Sequence, residues 1–485
     1  MELEQVSKEK EKVHRGIKRH IKRADSDMTS GSIWRLLITF ALPLAAGLLF
    51  QQLYNTVDTI VVGKFVGKEA LAAVGSTSSI INMLVGLCSG LSMGASVVIS
   101  QSYGAKDYVR LHDAVHTTIL VTIIMSVIAT GVGMAIVDPM LTMMSTPDDV
   151  FGAAHDYLTI YFAGISGLFI YNMGSAILRA VGDSRRPLYF LIFSAVLNVI
   201  LDLVFVIVFK MDIAGAAYAT IVSQFLSAAL VLFVLTRSAG PYAIHCIKGN
   251  ILKQVLSIGL PSGVQQGLTS FSNVFVQSYV NAFGSDCMAG WSSYNKLDVY
   301  ALVPAQSIAM ASTTFVGQNY GASKLERARQ GVKQALIMSI SMTIFLCALL
   351  LIFRDQLLTL FTNDSLVIQY GSRFIGMIAP FYFCTCFNQT FAGAMRGIGK
   401  AKVPMIVMLS SFVVFRQIFL YVGTKLGGGF VLVSLAYPMG WVVCSIAMYV
   451  CYKRSALCHP EKAQFAAADT AKDENVEDAI ETADE

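Results

Sequence analysis

The sequence predicts an all-α polytopic membrane protein of twelve transmembrane helices, in two six-helix bundles related by a pseudo-twofold axis along the membrane normal. Composition, long apolar runs and an internal repeat support this fold class. Of the 485 residues, 55% are hydrophobic and 14% are charged, and the mean hydropathy is +0.61. Soluble domains have about 25% charged residues, so lipid is the expected solvent for most of this chain.

Apolar runs recur along most of the chain, and each is long enough to cross a hydrocarbon core about 30 Å thick. An even number of crossings returns the chain to the side on which it began. The predicted spans are residues 33–62, 70–99, 111–137, 151–178, 187–209, 213–236, 251–283, 288–317, 334–353, 367–394, 403–424 and 428–452.

Basic residues are concentrated before the first span and in every second loop, whereas the alternate loops are poor in cations. By the positive-inside rule, both termini are expected in the cytoplasm. The predicted organisation is a basic cytoplasmic segment (1–32), a six-helix bundle (33–236), a cytoplasmic linker (237–250), a second six-helix bundle (251–452) and an acidic, disordered tail (453–485). The net charge of +5 reflects this topology and contact with membrane lipid, and it does not indicate nucleic-acid binding.

The two halves of the chain resemble each other at an offset of 217 residues. QSYGA, which begins at Gln101, returns as QNYGA at Gln318, and LRAVGDSRRP returns as MRGIGKAKVP. Ala-Leu-Pro43 returns as Gly-Leu-Pro261, one residue out of step. Six helices separate equivalent positions, so the repeats share one orientation, and a cleft between two bundles is the expected binding site.

The first span contains one carboxylate, Asp58, and no other charged residue between Arg35 and Lys64. At 1.5 Å per residue, Asp58 lies roughly 9 Å below Lys64, inside the hydrocarbon. A buried acid at that depth is costly unless it is paired, protonated or beside water, and so it marks a functional site by default.

Three further polar residues are expected at the depth of Asp58. Asp202 in the fifth span lies roughly 12 Å from Lys210, Asn198 is one turn earlier on the same face, and Thr220 in the sixth span lies equally deep. Two carboxylates at one level cannot both ionise without a counter-cation. We therefore predict a coupling-cation site that holds a shared proton or a sodium ion, the alternative being that serine, threonine or backbone groups satisfy each acid separately.

The second half has no equivalent acids, since Phe275 or Val276 replaces Asp58 and Phe419 replaces Asp202. It carries Lys296, Asp298 and Arg416 instead, which we interpret as a buried ion-pair cluster, with substrate contact as the alternative. We assign a candidate substrate cleft for a flat organic cation to Tyr54, Tyr171, Tyr279, Tyr294, Lys296 and Asp298. The alternative is that these are ordinary core or lipid-facing positions.

No disulfide, structural metal site or cofactor is expected. Cysteines in apolar spans behave as small hydrophobes, and Cys384 and Cys386 form a CxC with no nearby histidine or acid. An enzyme is disfavoured because the spans contain no GxSxG or HExxH motif.

Over residues 33–452 the chain resembles the multidrug and toxic compound extrusion (MATE) transporters. The resemblance rests on ALPLAAGLLFQQLYNTVDTIVVG in the first span and on the two repeated motif pairs. It implies an antiporter of the bacterial inner membrane, expected as a monomer, that exports amphipathic, often cationic compounds in exchange for protons or sodium. It also implies that Asp58, Asn198, Asp202 and Thr220 form the cation site and that the first helix bends at Pro43.

The resemblance favours the DinF-like branch of the family. The NorM-like branch is known for acids in its seventh and tenth helices, where this chain has Gln265, Gln266, Thr385 and Asn388. The rival hypothesis is a lipid-linked oligosaccharide flippase of similar architecture, which would need a larger, arginine-lined cavity. A receptor or scaffold is disfavoured by the buried acids.

Overall fold

A computed structural model describes residues 27–143, 146–239 and 248–459. The predicted basic segment before residue 27, residues 240–247 of the predicted linker and the predicted acidic tail from residue 460 lie outside this range. The predicted boundaries of these three segments stay predictions.

Six helices form the first half, and their bounds follow the apolar runs closely. They are α1 (Ile33–Val61, continued by a π-helical turn over Val62–Val66), α2 (Lys68–Gly104), α3 (Tyr108–Met143), α4 (Asp148–Ala163 and Ile165–Ala180), α5 (Arg185–Asp202, continued by a π-helical turn over Leu203–Val208) and α6 (Asp212–Ala239).

Six more helices form the second half, with a short helix at Arg354–Leu358 between the third and fourth. They are α7 (Gly249–Asn281), α8 (Ser285–Gly321), α9 (Leu325–Ile352), α10 (Ser365–Ile378 and Tyr382–Gly397), α11 (Lys402–Leu409 and Arg416–Lys425, joined by a π-helical turn over Ser410–Phe415) and α12 (Phe430–Lys453).

The two halves are folded alike. α1 packs on α5, α2 on α4, and α4 on α6, and the equivalent pairs α7 with α11, α8 with α10, and α10 with α12 repeat this arrangement. α4 is bent by 48° at its break before Ile165, and α10 is interrupted at the equivalent place by a 3₁₀ turn over Ala379–Phe381. The described residues therefore form two bundles of six helices, as the repeat predicts.

Not every helix could be recognised as a span on its own. In the described ranges, nine helices are long and apolar enough to cross a membrane, and the bent α4 makes ten. α7 is long enough but too polar for that test, and α10 is broken into two short pieces. Both belong to the bundle because they occupy the positions of α1 and α4 in the first half.

The bundles meet along two equivalent interfaces, α2 with α7 and α1 with α8. Both interfaces run to the same end of the molecule, which carries the start of α1 and the loops 105–107, 181–184, 322–324 and 398–401. We call this the basic end and the opposite one the far end.

Paired glutamine contacts close the basic end. Gln101 donates from Nε2 to the carbonyl of Gly397 at 2.8 Å, and Gln318 donates from Nε2 to the carbonyl of Ala180 at 2.9 Å. Each links one bundle to the other, and the two are equivalent at the repeat offset. A Cβ built on Gly104 would lie 1.9 Å from the carbonyl oxygen of Gln318, so only glycine fits where the helices cross.

The chain before α1 reinforces this closure on one side only. The backbone N–H of Met28 donates to Oε1 of Gln318 at 3.1 Å, and Lys324 and Arg327 donate to carbonyls of Thr29 and Met28. Gln318 is completely buried as a result. The N-terminal segment of the first bundle is thereby fixed to the second bundle.

Candidate cation site

The two predicted acids lie where α-helix changes to π-helix near the far end. Asp58 is in the last turn of the α-helical part of α1, just before the π turn over Val62–Val66, and Asp202 is the last α-helical residue of α5. π-helical turns inside helices occur often at functional sites, because the extra residue redirects neighbouring side chains.

Tertiary folding brings these acids together across α1 and α5. Their carboxyl groups lie within electrostatic range of each other, and two buried carboxylates that close cannot both be charged without a counter-cation. Asp202 is completely buried, and Asn198, one turn earlier on α5, is 2% exposed. The common depth inferred from helix length is therefore also a common site.

Several acceptor oxygens of this site have no hydrogen-bond donor among the described residues. They are Oδ1 of Asp58, both carboxyl oxygens of Asp202 and Oδ1 of Asn198, and all are buried. Burying a polar group without a partner costs about 2–7 kcal/mol, and burying a bare carboxylate costs more. A cluster of oxygens with no donor suits a proton or an oxygen-seeking cation.

Thr220 completes the predicted group. Nδ2 of Asn198 lies 3.4 Å from Oγ1 of Thr220 on α6, so the amide nitrogen faces the threonine. The amide oxygen remains available for a cation. The four predicted residues therefore form two pairs, Asp58 with Asp202 and Asn198 with Thr220. Asn198 and Asp202 lie on the same face of α5, which links the two pairs.

Tyr157 of α4 lies near the two acids. Tyr157 is 5% exposed and lies within electrostatic range of both Asp58 and Asp202. It stacks on Tyr161 with ring centroids 6.4 Å apart. Sequence reasoning did not include Tyr157, although two phenols four residues apart in an apolar span could have indicated a polar face. Tyr54 of α1 also lies near Asp58.

Pro43 lies inside α1, which continues as an α-helix on both sides of it. A proline removes one main-chain hydrogen bond and so weakens the helix locally. The assignment of a bend to this position stays a prediction.

The interpretation of Lys296, Asp298 and Arg416 as an ion-pair cluster was wrong. Asp298 accepts hydrogen bonds from Oη of Tyr294 at 2.9 Å and Oη of Tyr382 at 2.5 Å. Lys296 is exposed, and its Nζ lies 5.3 Å from the ring centre of Phe361.

Arg416 has neutral partners too. It donates to Oγ of Ser272 at 2.7 Å and Oδ1 of Asn273 at 2.9 Å, and its guanidinium carbon lies 4.6 Å from the ring centre of Tyr437. Side-chain direction, which helix spacing alone does not give, separates the three charges.

The structure places the residues of the candidate cleft in different surroundings. Tyr294 is 2% exposed in an aromatic cluster with Trp291 and Phe374. Tyr171 donates to the carbonyl of Pro187 at 3.2 Å. Tyr54 and Tyr279 are half-buried, and the cleft stays a prediction.

Comparison with known proteins agrees with the two-fold architecture. The family model described as MatE matches the chain twice, over residues 43–204 and 261–422. The matches begin at Pro43 and Pro261, the prolines of the repeat.

Curated relatives are similar over most of their length. The probable multidrug resistance protein YpnP of Bacillus subtilis (strain 168) is 28% identical over 81% of this chain and 89% of that protein. A protein of Shewanella oneidensis named FAD transporter is 24% identical over 90% of this chain and 98% of that protein.

A solved structure described as the outward-facing conformation of a multidrug resistance MATE family transporter has the same fold. Its TM-score is 0.84 at 23% identity, over 90% of this chain and 98% of that one. The family model covers both six-helix bundles. The chain therefore belongs to the MatE family of multi-pass membrane transporters.

Proposed function

We propose that this protein is a multidrug efflux antiporter that exports small amphipathic organic cations in exchange for protons or sodium by alternating access. The observation that carries the proposal is the pair Asp58 and Asp202, whose buried oxygens lack donors among the described residues. A proton or sodium ion entering this site is a cation that can be exchanged for a cationic substrate. Relatives named multidrug resistance proteins support the substrate class.

The transport cycle uses the closed basic end and the acids near the far end. With the basic end closed by Gln101 and Gln318, the acids take up the coupling ion from the far side. Neutralising them weakens their attraction for a cationic substrate, or lets α1 bend at Pro43, and the substrate leaves. The basic end then opens for the next substrate. In this proposal the basic end faces the cytoplasm of a bacterium and the protein lies in its inner membrane.

Asp58→Asn and Asp202→Asn are each expected to reduce transport to the level of protein-free liposomes, because neither amide can bind and release a proton or balance a sodium ion. The measurement is counterflow of a fluorescent organic cation in proteoliposomes, with pH and sodium gradients imposed separately. The gradient that drives uptake identifies the coupling ion.

Asp138→Asn is the matched control, because Asp138 is an exposed acid on α3 paired at 3.4 Å with His155. It should transport normally, and all three variants should purify as monodisperse protein. Normal counterflow in either Asp58→Asn or Asp202→Asn would contradict the coupling site.

The alternative function, a lipid-linked oligosaccharide flippase, has weaker support. A cavity that binds pyrophosphate would need to be large and lined by several free arginines, whereas Arg416 is engaged by Ser272, Asn273 and Tyr437. The relative named FAD transporter raises a different question, because FAD carries phosphates. Competition by FAD in the counterflow assay should be absent if the cargo is cationic, and strong competition would overturn that substrate class.

A further inference from the structure

A small polar cavity lies between the two bundles, where α1, α2, α4 and α8 meet. Its volume of about 50 Å³ has room for roughly three to five water molecules. Along α1 its lining residue Leu44 is roughly 21 Å from Asp58, and along α2 its lining residue Ser96 is roughly 12 Å from the basic end. The cavity is therefore distinct from the cation site. Its polar lining residues are Ser89, Ser92, Ser96, Asn172, Arg179, Thr313 and Thr314.

The charge in this cavity is positive and unbalanced. Arg179 is the charged residue of the lining, which contains no acid. Among the residues that the structure describes, the Arg179 side chain makes no hydrogen bond or ion pair, and its electrostatic neighbour is the phenol of Tyr171. A guanidinium carries five N–H donors and no acceptor, so it requires oxygen partners.

Ser92 gives a second, independent indication. Its side chain is 3% exposed and lines the cavity, and within the described ranges its Oγ makes no hydrogen bond to a nitrogen or oxygen, the polar group within its reach being the thiol of Cys88 one turn earlier. A buried hydroxyl with no partner stronger than a thiol is unusual in a native structure. Together, Arg179 and Ser92 present donors to a space whose lining has neutral hydroxyl and amide groups but no carboxylate.

The internal repeat shows what occupies this position in the other half. Arg396, the equivalent of Arg179, donates from Nη2 to Oε1 of Gln265 on α7 at 2.9 Å. Aligning Pro43 with Pro261 places Gly47 of α1 where α7 has Gln265. The neighbouring helices support this alignment. Gln265 contacts Met408, and a Cβ on Gly47 would lie 3.5 Å from Leu191, which is the equivalent of Met408 in the first half.

A purely structural role would be for Arg179 to stabilise the C-terminal turn of α4, where a cation interacts favourably with the helix dipole. Arg396 occupies the same position at the end of α10 and still has a side-chain acceptor. The helix end therefore does not replace the oxygen partner. The first half has kept the arginine and has glycine in place of the acceptor.

We propose that the cavity around Arg179 is an anion site that accepts one small anion, or the carboxylate or phosphate group of a bound organic molecule. Arg179 supplies the charge and Ser92 a hydroxyl donor. The anion occupies the place that the Gln265 amide oxygen holds in the other half. Because the cavity lies where the bundles meet, its occupancy couples their relative position to the anion.

The experiment grafts the missing acceptor. In Gly47→Gln, the new amide oxygen should pair with Arg179 as Gln265 pairs with Arg396, and Gly47 has space for a side chain. The assay is thermal unfolding of the purified full-length protein in gluconate buffer at constant ionic strength. Chloride, acetate and inorganic phosphate are titrated separately. The wild type should show a saturable rise in the unfolding midpoint with at least one anion.

Gly47→Gln should bind that anion at least about tenfold more weakly, since a hydrogen bond to a charged group contributes about 1.5–3 kcal/mol. Ser92→Ala should weaken binding by less, and Gln266→Ala, at an exposed position beside the equivalent pair in the other half, should keep the wild-type anion response. No saturable response in the wild type, or an unchanged response in Gly47→Gln, would overturn the proposal. This readout needs no transport, so it is separate from the proposed export activity.

A second measurement distinguishes the two sources of the anionic group. Counterflow compares a rhodamine free acid with its methyl ester in the presence and absence of the stabilising anion. If the substrate supplies the group, the free acid has the lower KM in the wild type, and Gly47→Gln abolishes the difference. If a free anion supplies it, transport of the ester depends on that anion only in the wild type. Either pattern supports the site, and the absence of both contradicts it.

Discussion

The two interfaces that join the bundles are equivalent by the repeat but packed differently. Along α2 and α7, glycines face each other at a spacing of four residues, Gly90 and Gly94 against Gly259 and Gly263. A Cβ on Gly90 would lie 2.2 Å from the backbone nitrogen of Gly263, so the two backbones are in direct contact. Small residues at this spacing let membrane helices approach closely.

Along α1 and α8 the equivalent positions carry side chains. Ser307 and Ala311 of α8 replace Gly90 and Gly94, and Ala41 and Ala45 of α1 replace Gly259 and Gly263. The cavity with Arg179 opens beside this interface. The same helix arrangement is therefore closely packed at the interface of α2 with α7, which we call the solid interface. It leaves a cavity beside the interface of α1 with α8, which we call the hollow interface. The difference depends on a few Cβ atoms at equivalent positions.

The largest expected effect is on the solid interface. Gly90→Ala should destabilise the protein by about 3 kcal/mol or more, at the upper end of overpacking costs, because its Cβ meets backbone that has no rotamer to change. Ser307→Ala is the matched change at the hollow interface and should cost less than about 1 kcal/mol, since that position already has a Cβ. Thermal unfolding in detergent compares the two. Equal losses would show that the interfaces do not differ as described.

An intermediate effect is expected where the two arginines differ. Gln265→Ala should destabilise by about 1–3 kcal/mol, because Arg396 then loses its side-chain acceptor and its Nε is already unpaired among the described residues. Gln266→Ala, at the exposed neighbouring position, should stay within about 0.5 kcal/mol. The unfolding midpoints of both variants test this. If Gln265→Ala left the unfolding midpoint unchanged, the side-chain acceptor of Arg396 would contribute nothing to stability, and the described difference between Arg396 and Arg179 would be contradicted.

The smallest expected difference concerns the paired glutamines at the basic end. Gln318→Ala should destabilise by about 1 kcal/mol more than Gln101→Ala, since Gln318 also accepts from Met28 and the added hydrogen bond contributes about that much. Unfolding of the two variants under identical conditions measures the difference. The reverse order would mean that the segment before α1 does not add to closure on the α8 side.

Much of the fold followed from the sequence, because each span is long, apolar and repeated. α7 and α10 were predicted from their apolar runs, and the structure places them at the positions of α1 and α4, although neither passes as a span on its own. The common depth of Asp58, Asn198, Asp202 and Thr220 also followed from the sequence, since depth along a helix is a simple function of residue count. Their role as a cation site stays a prediction. Tyr157 was missed because its direction depends on how α4 packs against α1 and α5.

The second half shows where sequence reasoning fails. Lys296 and Asp298 are two residues apart, and helical geometry places such residues on different faces. Tyr382, which pairs with Asp298, comes from a distant helix. Charge in a span indicates that a partner is needed, but the identity of that partner depends on the rotation of each helix in the bundle.

The sequence by itself determined the class, the repeat and the depth of the buried acids, because these depend on composition and on distance along the chain. Only the tertiary structure decided which interface is solid, which arginine has an acceptor and which acid has phenol donors. Those properties depend on contacts of a few ångströms between side chains far apart in sequence, and a single Cβ at Gly90 or a missing amide at Gly47 changes them.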